Sequence, residues 1–342
     1  MLSIQPFEES SAPQWDEFVA ACPDATFFHL ARWRNIYEGV FRHRTHYLMA
    51  RRAGQIVGVL PLVHVRSHLF GNALVSLPFA VYGGAATLDG DALAELHGAA
   101  CELARKVGAS HLELRNRARR EPQWPRQEVY VTFRKPILPD VEANMLAIPR
   151  KQRAMVRKGI QRGLVSEIDE NTDTFFELYA DNQHRHGTPA QSRAYFAALK
   201  REFGGRCECL IVRSPQGQPV SGVLSFYFKD EVLPYYAGDL PLARDLAAND
   251  FKYWELLRRA CERGLKVFDY GRSKKGTGSF DFKRNWGCEP TDLHYEHCLI
   301  GLDHVPQNNP SNPKYGLAIR VWRRLPRPVV DRVGPLLARH LG

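Results

Sequence analysis

Apolar and polar positions along the chain predict two similar series of strands. Residues 52–65 (RAGQIVGVLPLVHV) and residues 214–228 (SPQGQPVSGVLSFYF) each place a Gly-Gln turn before an apolar run. A turn of this kind before an apolar run is typical of a β-hairpin. A further strand-like stretch follows each run and ends on a glycine, Gly84 in the first series and Gly238 in the second. Both series therefore predict a hairpin followed by one more strand.

Helical spacing of apolar residues then predicts a helix over 92–107 and another over 251–264. Each helix contains Ala-Cys-Glu, and each passes into a short strand that ends at Arg115 or Arg272. The Gly-Gln turns begin at positions 54 and 217 and the triplets at positions 100 and 260, so the offsets are 163 and 160 residues. Two landmarks at nearly one offset predict a duplicated α/β unit with mixed sheets.

A change of composition marks the boundary between the two copies. Pro136, Pro139 and Pro149 surround it, and prolines are common between elements. We therefore predict a first domain over residues 1–145, a second domain with the active site over 146–312, and a basic helical tail over 313–342 that packs back on the first domain.

Composition is typical of a soluble protein of the cytoplasm. The 342 residues are 44% hydrophobic and 25% charged, and the seven cysteines are an odd number that argues for a reducing compartment. The N-terminus lacks the basic and apolar regions of a signal peptide. The uncharged run 69–88 contains Pro78 and Gly83–Gly84, which favours buried strands over a membrane span.

The net charge of +10 is unevenly distributed. Residues 147–166 hold six basic residues and no acidic one, and the segment from Lys314 to the end holds seven basic residues against Asp331 alone. Such a charged run usually forms a solvent-exposed helix face. A set of cations without acidic residues between them, however, also favours anion binding. The expected partner is polyanionic: a phosphorylated carrier, a nucleotide cofactor, an RNA or a lipid headgroup.

Residues 268–287 form the densest candidate site. A strand ends in Asp269-Tyr270-Gly271, and the loop after it carries cations and glycines that together suit a phosphate. The loop residues concerned are Arg272, Lys274, Lys275, Gly276 and Gly278. Their R-x-x-x-G-x-G spacing is one residue longer than the R/Q-x-x-G-x-G pyrophosphate loop of GNAT acetyltransferases, and an ordinary surface turn remains an alternative.

Other motifs narrow the chemistry. The strand ending at Gly238 carries Tyr235 and Tyr236, one of which can pack while the other reaches a cleft. Neither the histidines at 184 and 186 nor HYEH (294–297) has the spacing of a zinc motif, so no metal is expected. The sequence has no G-x-S-x-G and no Walker lysine loop, which argues against covalent hydrolases and P-loop enzymes.

The chain resembles the FemAB family over nearly its whole length, and in particular the FemAB-related proteins of PEP-CTERM/exosortase gene clusters. The stretches that carry the likeness are FFHLARWRNIY (27–37), IPRKQRAMVRKGIQRG (148–163), HRHGTP (184–189), YYAGDLPLARDLAANDFKYWELLRRACERG (235–264), GRSKKGTGSFDFKRNWG (271–287) and RVWRRLPRPVVDRVGPLL (320–337). The resemblance implies two GNAT-like domains and transfer of an acyl or aminoacyl group to a primary amine, without a covalent intermediate. It also implies acyl-CoA or aminoacyl-tRNA as co-substrate, no permanently bound cofactor, and an amine-bearing acceptor on a surface-polymer or carrier-linked precursor.

The same resemblance assigns candidate residues. Lys283 matches the lysine of the family's F-K-x-x-W/F-G motif and is expected to contact phosphate or the transition state. Arg153 and Arg157 match the basic helix that opens the second domain. Asp269 either orients or deprotonates the amine or is a structural partner of arginines. The chain lacks the long charged coiled-coil insertion that some cell-wall members use near tRNA, which weighs against tRNA as donor.

One competing hypothesis is a non-catalytic protein that grips RNA or lipid phosphate on a degenerate double GNAT fold. Convergence of Tyr236, Asp269 and Lys283 on one cleft would favour the enzyme. We expect a monomer. In the tail, Trp322 and Leu325 are predicted to cap the core while neighbouring arginines contact anionic substrate or the inner face of the membrane.

Overall fold

The computed structural model describes residues 1–67, 71–306 and 316–341, and it shows a mixed α/β chain that divides into two compact units. The first unit comprises Met1–Tyr130, Asp292–Asn312 and Arg339–Gly342. The second unit comprises Val131–Thr291 and Pro313–Ala338.

Seventeen strands are present in the described residues, most of them short. They are β1 Leu2–Pro6, β2 Arg44–Thr45, β3 Leu48–Arg52, β4 Gln55–Leu60, β5 Val63–Ser67, β6 Gly71–Val75, β7 Ala86–Thr87, β8 His111–Asn116, β9 Arg126–Gln127, β10 Tyr130–Pro136, β11 Val165–Asp169, β12 Cys207–Arg213, β13 Pro219–Phe228, β14 Glu231–Asp239, β15 Val267–Lys274, β16 Pro290–Asp292 and β17 His294–Leu299.

Twelve α-helices accompany these strands in the same described ranges. They are α1 Ala12–Ala21, α2 Trp33–Gly39, α3 Gly90–Lys106, α4 Val141–Ala147, α5 Arg150–Gln161, α6 Asp173–His186, α7 Arg193–Phe203, α8 Leu242–Asp245, α9 Ala248–Glu262, α10 Gly278–Asn285, α11 Gly316–Trp322 and α12 Arg327–Ala338.

The first unit contains two sheets, in the strand orders β1-β3-β4-β7 and β2-β5-β6-β8-β17-β9. The apolar run predicted after the first Gly-Gln turn supplies strands to both sheets. Pro61 lies between β4 and β5, and because proline cannot donate to a ladder, the strand is interrupted there. Helix α3 packs its apolar face, including Leu96 and Ala100, against the leucines of these strands.

The second unit contains one sheet in the order β11-β12-β13-β14-β15-β10-β16. Neighbouring residues of β13 face opposite sides, as the strand period requires. A Cβ added at Gly222 would lie 3.1 Å from Leu178 of α6, whereas Val223 belongs to the core shared with Leu257 of α9. Helices therefore cover both faces of this sheet.

The order of elements confirms the predicted duplication. Strands β3, β4–β5 and β6, helix α3 and strand β8 correspond in order to β12, β13, β14, α9 and β15. In each unit the last of the corresponding strands before the helix pairs in parallel with the strand after it, β6 with β8 and β14 with β15; the short β7, which comes between β6 and α3, pairs with β4 instead. All other strand pairs whose register is described are antiparallel.

The unit limits differ from the predicted domain limits because two strands lie in the sheet of the other copy. Strand β10 lies beside β15 in the second unit, and β17 pairs with β8 in the first, with His297 opposite Glu113. The limits of the units therefore lie at 130/131 and 291/292 rather than near 145 and 312. They follow from backbone pairing between strands, which the amino-acid composition does not reveal.

The tail also differs from the prediction of packing on the first domain. Its residues up to Ala338 belong to the second unit, where Ile319 lies against Gly187 and Arg323 donates to the carbonyl of His186 at 3.1 Å. Within the first unit, His43 Nε2 lies 2.8 Å from the carbonyl oxygen of Arg339. Pro326 lies between α11 and α12, Pro328 is in the first turn of α12, and Trp322 is buried.

Candidate active site

The parallel strands of the second unit separate soon after they meet. Their register contains two pairs, Glu231 with Val267 and Val232 with Phe268. Strand β14 then continues to Asp239 and β15 to Lys274, while β14 stays paired with β13 on its other edge. We call the opening between residues 233–239 and 269–274 the second-unit wedge.

A β-bulge and a glycine shape β14 along this wedge. The register against β13 runs from Leu224–Tyr236 to Ser225–Pro234 and so skips Tyr235, which bends the strand. At Gly238 an added Cβ would lie 2.4 Å from the backbone nitrogen of Tyr179. Only glycine lets β14 approach α6 this closely, so the sequence YYAG fixes the position of the strand beside the opening.

Tyr236 lies in an aromatic cluster on this strand. Its hydroxyl is 3.0 Å from the hydroxyl of Tyr195, and its ring contacts Phe196 and Tyr179 with centroids 5.3 and 5.6 Å away. Burial raises the pKa of Tyr236 well above its usual value. The hydroxyl therefore stays protonated at neutral pH and can donate a hydrogen bond. The sequence analysis missed Tyr195, because nothing in its local sequence marks it as the partner of a residue so far away in the chain.

Asp269 is a buried and well-bonded carboxylate, with 1% of its surface exposed. It accepts hydrogen bonds from Arg134 Nη1 at 2.9 Å, the Gly271 backbone N–H at 2.8 Å and Thr132 Oγ1 at 3.4 Å. Of the two roles considered for it, the contacts support that of a structural partner of an arginine. Arg134 was missed because it lies on β10, which the sequence analysis placed in the other domain.

Lys283 projects from α10 into the second unit and is 7% exposed. Its ammonium donates to the carbonyl oxygens of Gly271 and Arg272, each at 3.0 Å. Burial lowers the pKa of Lys283 to about 8, although the charge of Asp269 acts in the opposite direction. The side chain thus fastens α10 to the last residues of β15.

The five loop residues of the sequence prediction lie together where β15 leads into α10. Gly276 adopts a positive φ of 75°, which favours glycine and turns the chain. Thr277 then caps α10: its Oγ1 accepts from the Phe280 N–H at 3.4 Å and donates to the Lys274 carbonyl at 2.7 Å. The helix N-terminus and the cations at 272, 274 and 275 therefore flank one exposed turn beside the wedge.

The predicted basic helix is present as α5. Arg157 is exposed, and Arg153 donates to the Leu146 carbonyl at 3.2 Å. At Gly159 an added Cβ would lie 2.8 Å from Phe251 Cβ, so α5 packs closely on α9. No described contact joins Arg153 or Arg157 to the 272–278 turn.

Apart from Arg153 and Arg157 on α5, the predicted residues form two groups within the second unit. Lys283, Asp269 and the turn meet at the end of β15, whereas the described contacts of Tyr236 are to the aromatic cluster of α6 and α7. One group lies at the end of β15 and the start of α10, and the other lies on β14, so they stand on the two sides of the wedge.

A buried ion pair, missed by the sequence analysis, closes the end of β14. Lys252 is fully buried and its Nζ lies 2.7 Å from Asp239 Oδ1. The local sequence marks both residues: Lys252 lies between apolar neighbours of the predicted helix, and Asp239 directly follows Gly238. A lysine at such a position can be held only by a charged or polar partner.

The corresponding opening of the first unit is filled by its own backbone. Strands β6 and β8 pair at three positions, the last being Val75 with Glu113. Beyond it, the Ser76 N–H bonds to the Glu113 carbonyl at 2.8 Å, and the N–H groups of Gly83 and Gly84 bond to the Arg115 carbonyl at 3.0 and 3.1 Å. A Cβ on Gly84 would lie 1.7 Å from Asn116 Oδ1, so glycine allows this close fit without displacing the Asn116 side chain.

Beside this filled opening, the first unit has a cavity of about 240 Å³ lined by Arg115, Arg117 and Arg120. Arg115 bonds to Glu113, and Arg120 bonds to Asp24 at 2.6 Å. The guanidinium of Arg117 lies over the Tyr82 ring, 5.4 Å from its centroid. Three guanidinium groups in one cavity suit an anionic ligand. The sequence analysis missed them, although the run RNRARR (115–120) was a visible signal.

Known proteins resemble this chain in a matched sequence domain and in fold. Residues 148–284 match the family model described as an acetyltransferase (GNAT) domain. The fold is similar to that of FemX, with a TM-score of 0.66 and 15% identity over 93% of this chain and 100% of that one. It is also similar to a tandem GNAT protein from the clavulanic acid biosynthesis pathway, with a TM-score of 0.55 and 13% identity over 89% and 100% of the two chains.

A third solved structure is the C-terminal domain of an Agrobacterium fabrum protein provisionally named lysylphosphatidylglycerol synthetase. Its TM-score is 0.56, with 12% identity over 84% of this chain and 91% of that domain. No curated protein sequence matches the chain. In the described part of the chain, no helix is long and apolar enough to cross a lipid bilayer. Residues 148–284 therefore form a GNAT acetyltransferase-type domain within a chain that carries the GNAT-like fold twice.

Proposed function

We propose that this protein transfers an activated acyl or aminoacyl group to a primary amine in the second-unit wedge, without a covalent enzyme intermediate. The observation that carries the proposal is the separation of β14 from β15 after two residue pairs. The matched GNAT domain contains both strands, the helix between them and Lys283.

Backbone and tyrosine groups along β14 support the chemistry. A strand edge turned away from its neighbour presents N–H groups that can bind the acyl oxygen as negative charge develops on it. The amine attacks the acyl carbon, and the C–N bond forms as the bond to the donor's sulfur or ribose oxygen breaks. Tyr236, held by Tyr195, is the proposed donor of the proton that the leaving group takes up, and the proton that the amine loses as the amide forms restores the tyrosine hydroxyl.

The exposed 272–278 turn is the proposed site for the donor's phosphates. Its cations and the N-terminal N–H groups of α10 present positive charge at one place. Acyl-CoA fits the GNAT domain match, whereas the names FemX and lysylphosphatidylglycerol synthetase favour an aminoacyl donor. Both kinds of donor are polyanions.

The proposed acceptor is an amine on a carrier-linked precursor of a surface polymer. The FemAB resemblance supports this class, and the arginine-lined cavity of the first unit supports an acceptor with an anionic carrier. Contact with the membrane surface is also proposed, because α12 exposes the apolar side chains of Val329, Val333 and Leu336.

Label transfer tests the proposal. The protein is incubated with an amine acceptor and either labelled acetyl-CoA or tRNA charged with a labelled amino acid, and the labelled amide is measured. We expect transfer from one donor and a loss of at least about tenfold, on the order of 1.4 kcal/mol, in Tyr236→Phe. The control Tyr253→Phe, in the core around Phe268, should keep the wild-type rate.

A non-catalytic polyanion-binding protein is the second candidate. The structural contacts of Asp269 and Lys283 and the exposed Arg157 on α5 favour it. Binding of both donors without transfer to any amine, and without an effect of Tyr236→Phe, would support this candidate and contradict the transferase.

A further inference from the structure

Three side chains that can bind a metal meet on neighbouring strands of the first unit. His111 and Glu113 lie on β8 and His297 lies on β17. One donor atom from each lies within 4.8 Å of the others. No other group of three such side chains is this close in the described residues.

The strand register explains why they meet. His297 stands directly opposite Glu113 in the antiparallel pair of β17 and β8. His111 lies two residues before Glu113 and therefore on the same face of β8. The rings of His111 and His297 are consequently adjacent, with centroids 5.6 Å apart.

His297 is the unusual member of the cluster. It is fully buried, and neither of its ring nitrogens has a hydrogen-bond partner in the described structure. Buried polar atoms are nearly always bonded, so an imidazole with both nitrogens unsatisfied requires an explanation. A neutral imidazole offers the lone pair of one ring nitrogen to a ligand.

The other two side chains, those of His111 and Glu113, are each held by a contact to a neighbouring residue. Ser110 Oγ lies 3.2 Å from His111 Nδ1, and this contact leaves His111 Nε2 for another partner. Arg115 Nε donates to one oxygen of Glu113 at 2.7 Å and leaves the second oxygen for another partner. The ion pair with Arg115 favours the charged form of this carboxylate. Metal ligands are usually held in this way by outer hydrogen bonds.

We propose that His111, Glu113 and His297 bind one divalent transition-metal ion of the Zn²⁺ type, which links β8 to β17. Two neutral imidazoles and a carboxylate suit Zn²⁺ and its neighbours rather than Ca²⁺ or Mg²⁺, which prefer oxygen ligands alone. Such an ion joins a strand that the chain reaches only after the second unit to the sheet of the first unit.

The sequence analysis expected no metal because it considered motifs of adjacent histidines. In HYEH (294–297), residues 294 and 297 face opposite sides of β17, and only His297 reaches the cluster. The other two ligands come from a distant part of the chain, so no local spacing records them.

The positive charge of Arg115 is expected to lower the affinity of this site for Zn²⁺. Its guanidinium already offsets the charge of Glu113, so a divalent ion adds net positive charge to a buried site. We expect Zn²⁺ to bind more weakly than it does in zinc sites built from thiolates.

The test uses the full chain without a polyhistidine tag, stripped with a chelator and titrated with ZnCl2 by calorimetry. Wild type should take up one equivalent of Zn²⁺, and its Tm should rise with Zn²⁺ but not with Mg²⁺. His297→Gln and Glu113→Gln should lose this uptake. His304→Gln, an exposed histidine of the same unit, should keep it.

Unchanged uptake in both His297→Gln and Glu113→Gln, or no uptake by wild type, would overturn the proposal. A spectrum of the wild-type chain with Co²⁺ gives a second measurement that needs no variant. Co²⁺ bound by two imidazoles and a carboxylate should show visible d–d absorption, and absence of these bands would also contradict the site.

Discussion

The two units differ most where their parallel strands part. In the first unit, the backbone of residues 76–84 occupies the opening and bonds to Glu113 and Arg115 of β8. In the second unit, no described main-chain hydrogen bond joins residues 233–239 to residues 269–274. The same frame therefore supports a closed sheet in one copy and an opening beside cations and a tyrosine pair in the other.

The origin of this difference is local. Strand β6 ends at Val75, and the chain then folds back through PFAVYGG (78–84), where glycines permit contact with Asn116 and the Arg115 carbonyl. Strand β14 instead runs on to Asp239 against α6. A duplicated unit thus keeps its order of elements while one connecting segment decides whether a ligand can enter.

The largest expected effect is a loss of stability on replacing the glycines that allow close backbone approach in the two units, Gly238 in the second and Gly84 in the first. Gly238→Ala places a Cβ 2.4 Å from backbone atoms of α6, which cannot move alone, so we expect the free energy of unfolding to fall by about 3 kcal/mol or more. Gly84→Ala meets mainly the Asn116 side chain, which can shift, so a smaller loss is expected.

Urea unfolding measures both losses. Gly98→Ala, in the middle of α3 with nothing within 4 Å of the added Cβ, is the matched control and should gain up to about 1 kcal/mol. Equal stability of Gly238→Ala and wild type would show that β14 does not lie as close to α6 as described.

Lys283 and Lys275 lie in one segment beside the second-unit wedge, but Lys283 is buried and Lys275 is exposed. Substitutions at the two positions therefore separate an effect on the fold from an effect on donor binding. Lys283→Ala leaves two buried carbonyls without their donor, so we expect stability to fall by about 2 kcal/mol and the transfer rate to fall at least about tenfold. Lys275→Ala should leave stability unchanged and raise KM for the donor. Denaturation and steady-state kinetics separate these outcomes. A folded Lys283→Ala variant with wild-type kinetics and stability would refute both roles.

The buried ammonium of Lys283 also predicts a dependence on pH. Its pKa is about 8 in the folded protein, below the usual 10.5, so between these values the unfolded chain binds more protons. Wild-type stability relative to Lys283→Met should therefore rise as pH increases from 8 to 10.5, by an amount on the order of 2 kcal/mol. Chemical denaturation at several pH values measures it, and a flat difference would contradict the burial of the charge.

The smallest expected effect concerns the tail of the second unit. Arg323 and Arg327 already bond to residues of α6, so of these four arginines only Arg320 and Arg324, both exposed, are expected to meet lipid. We expect co-sedimentation with anionic liposomes to fall several-fold when Val329, Val333 and Leu336 are all changed to Ser, and less when Arg320 and Arg324 are changed to Gln. Binding that is equal in all three proteins, or absent, would leave the tail a structural element.

Local pattern predicted the order of elements well, because hairpin turns, helix spacing and the two landmark offsets are recorded in consecutive residues. It did not predict which sheet β10 and β17 enter, since pairing between distant strands leaves no local trace. Lys283 and the 272–278 turn were identified from one continuous motif. Tyr195, Arg134 and the cluster around His297 were missed because the fold alone brings each to its partner.

We expect the donor to bind in the second-unit wedge and not at its filled counterpart in the first unit. Hydrogen–deuterium exchange tests it directly, with acetyl-CoA and, separately, with charged tRNA. We predict that one of the two donors protects residues 233–240 and 272–279 and leaves residues 73–84 and 113–117 unchanged. Protection confined to the first-unit residues, or no protection by either donor, would show that the donor does not bind in the second-unit wedge.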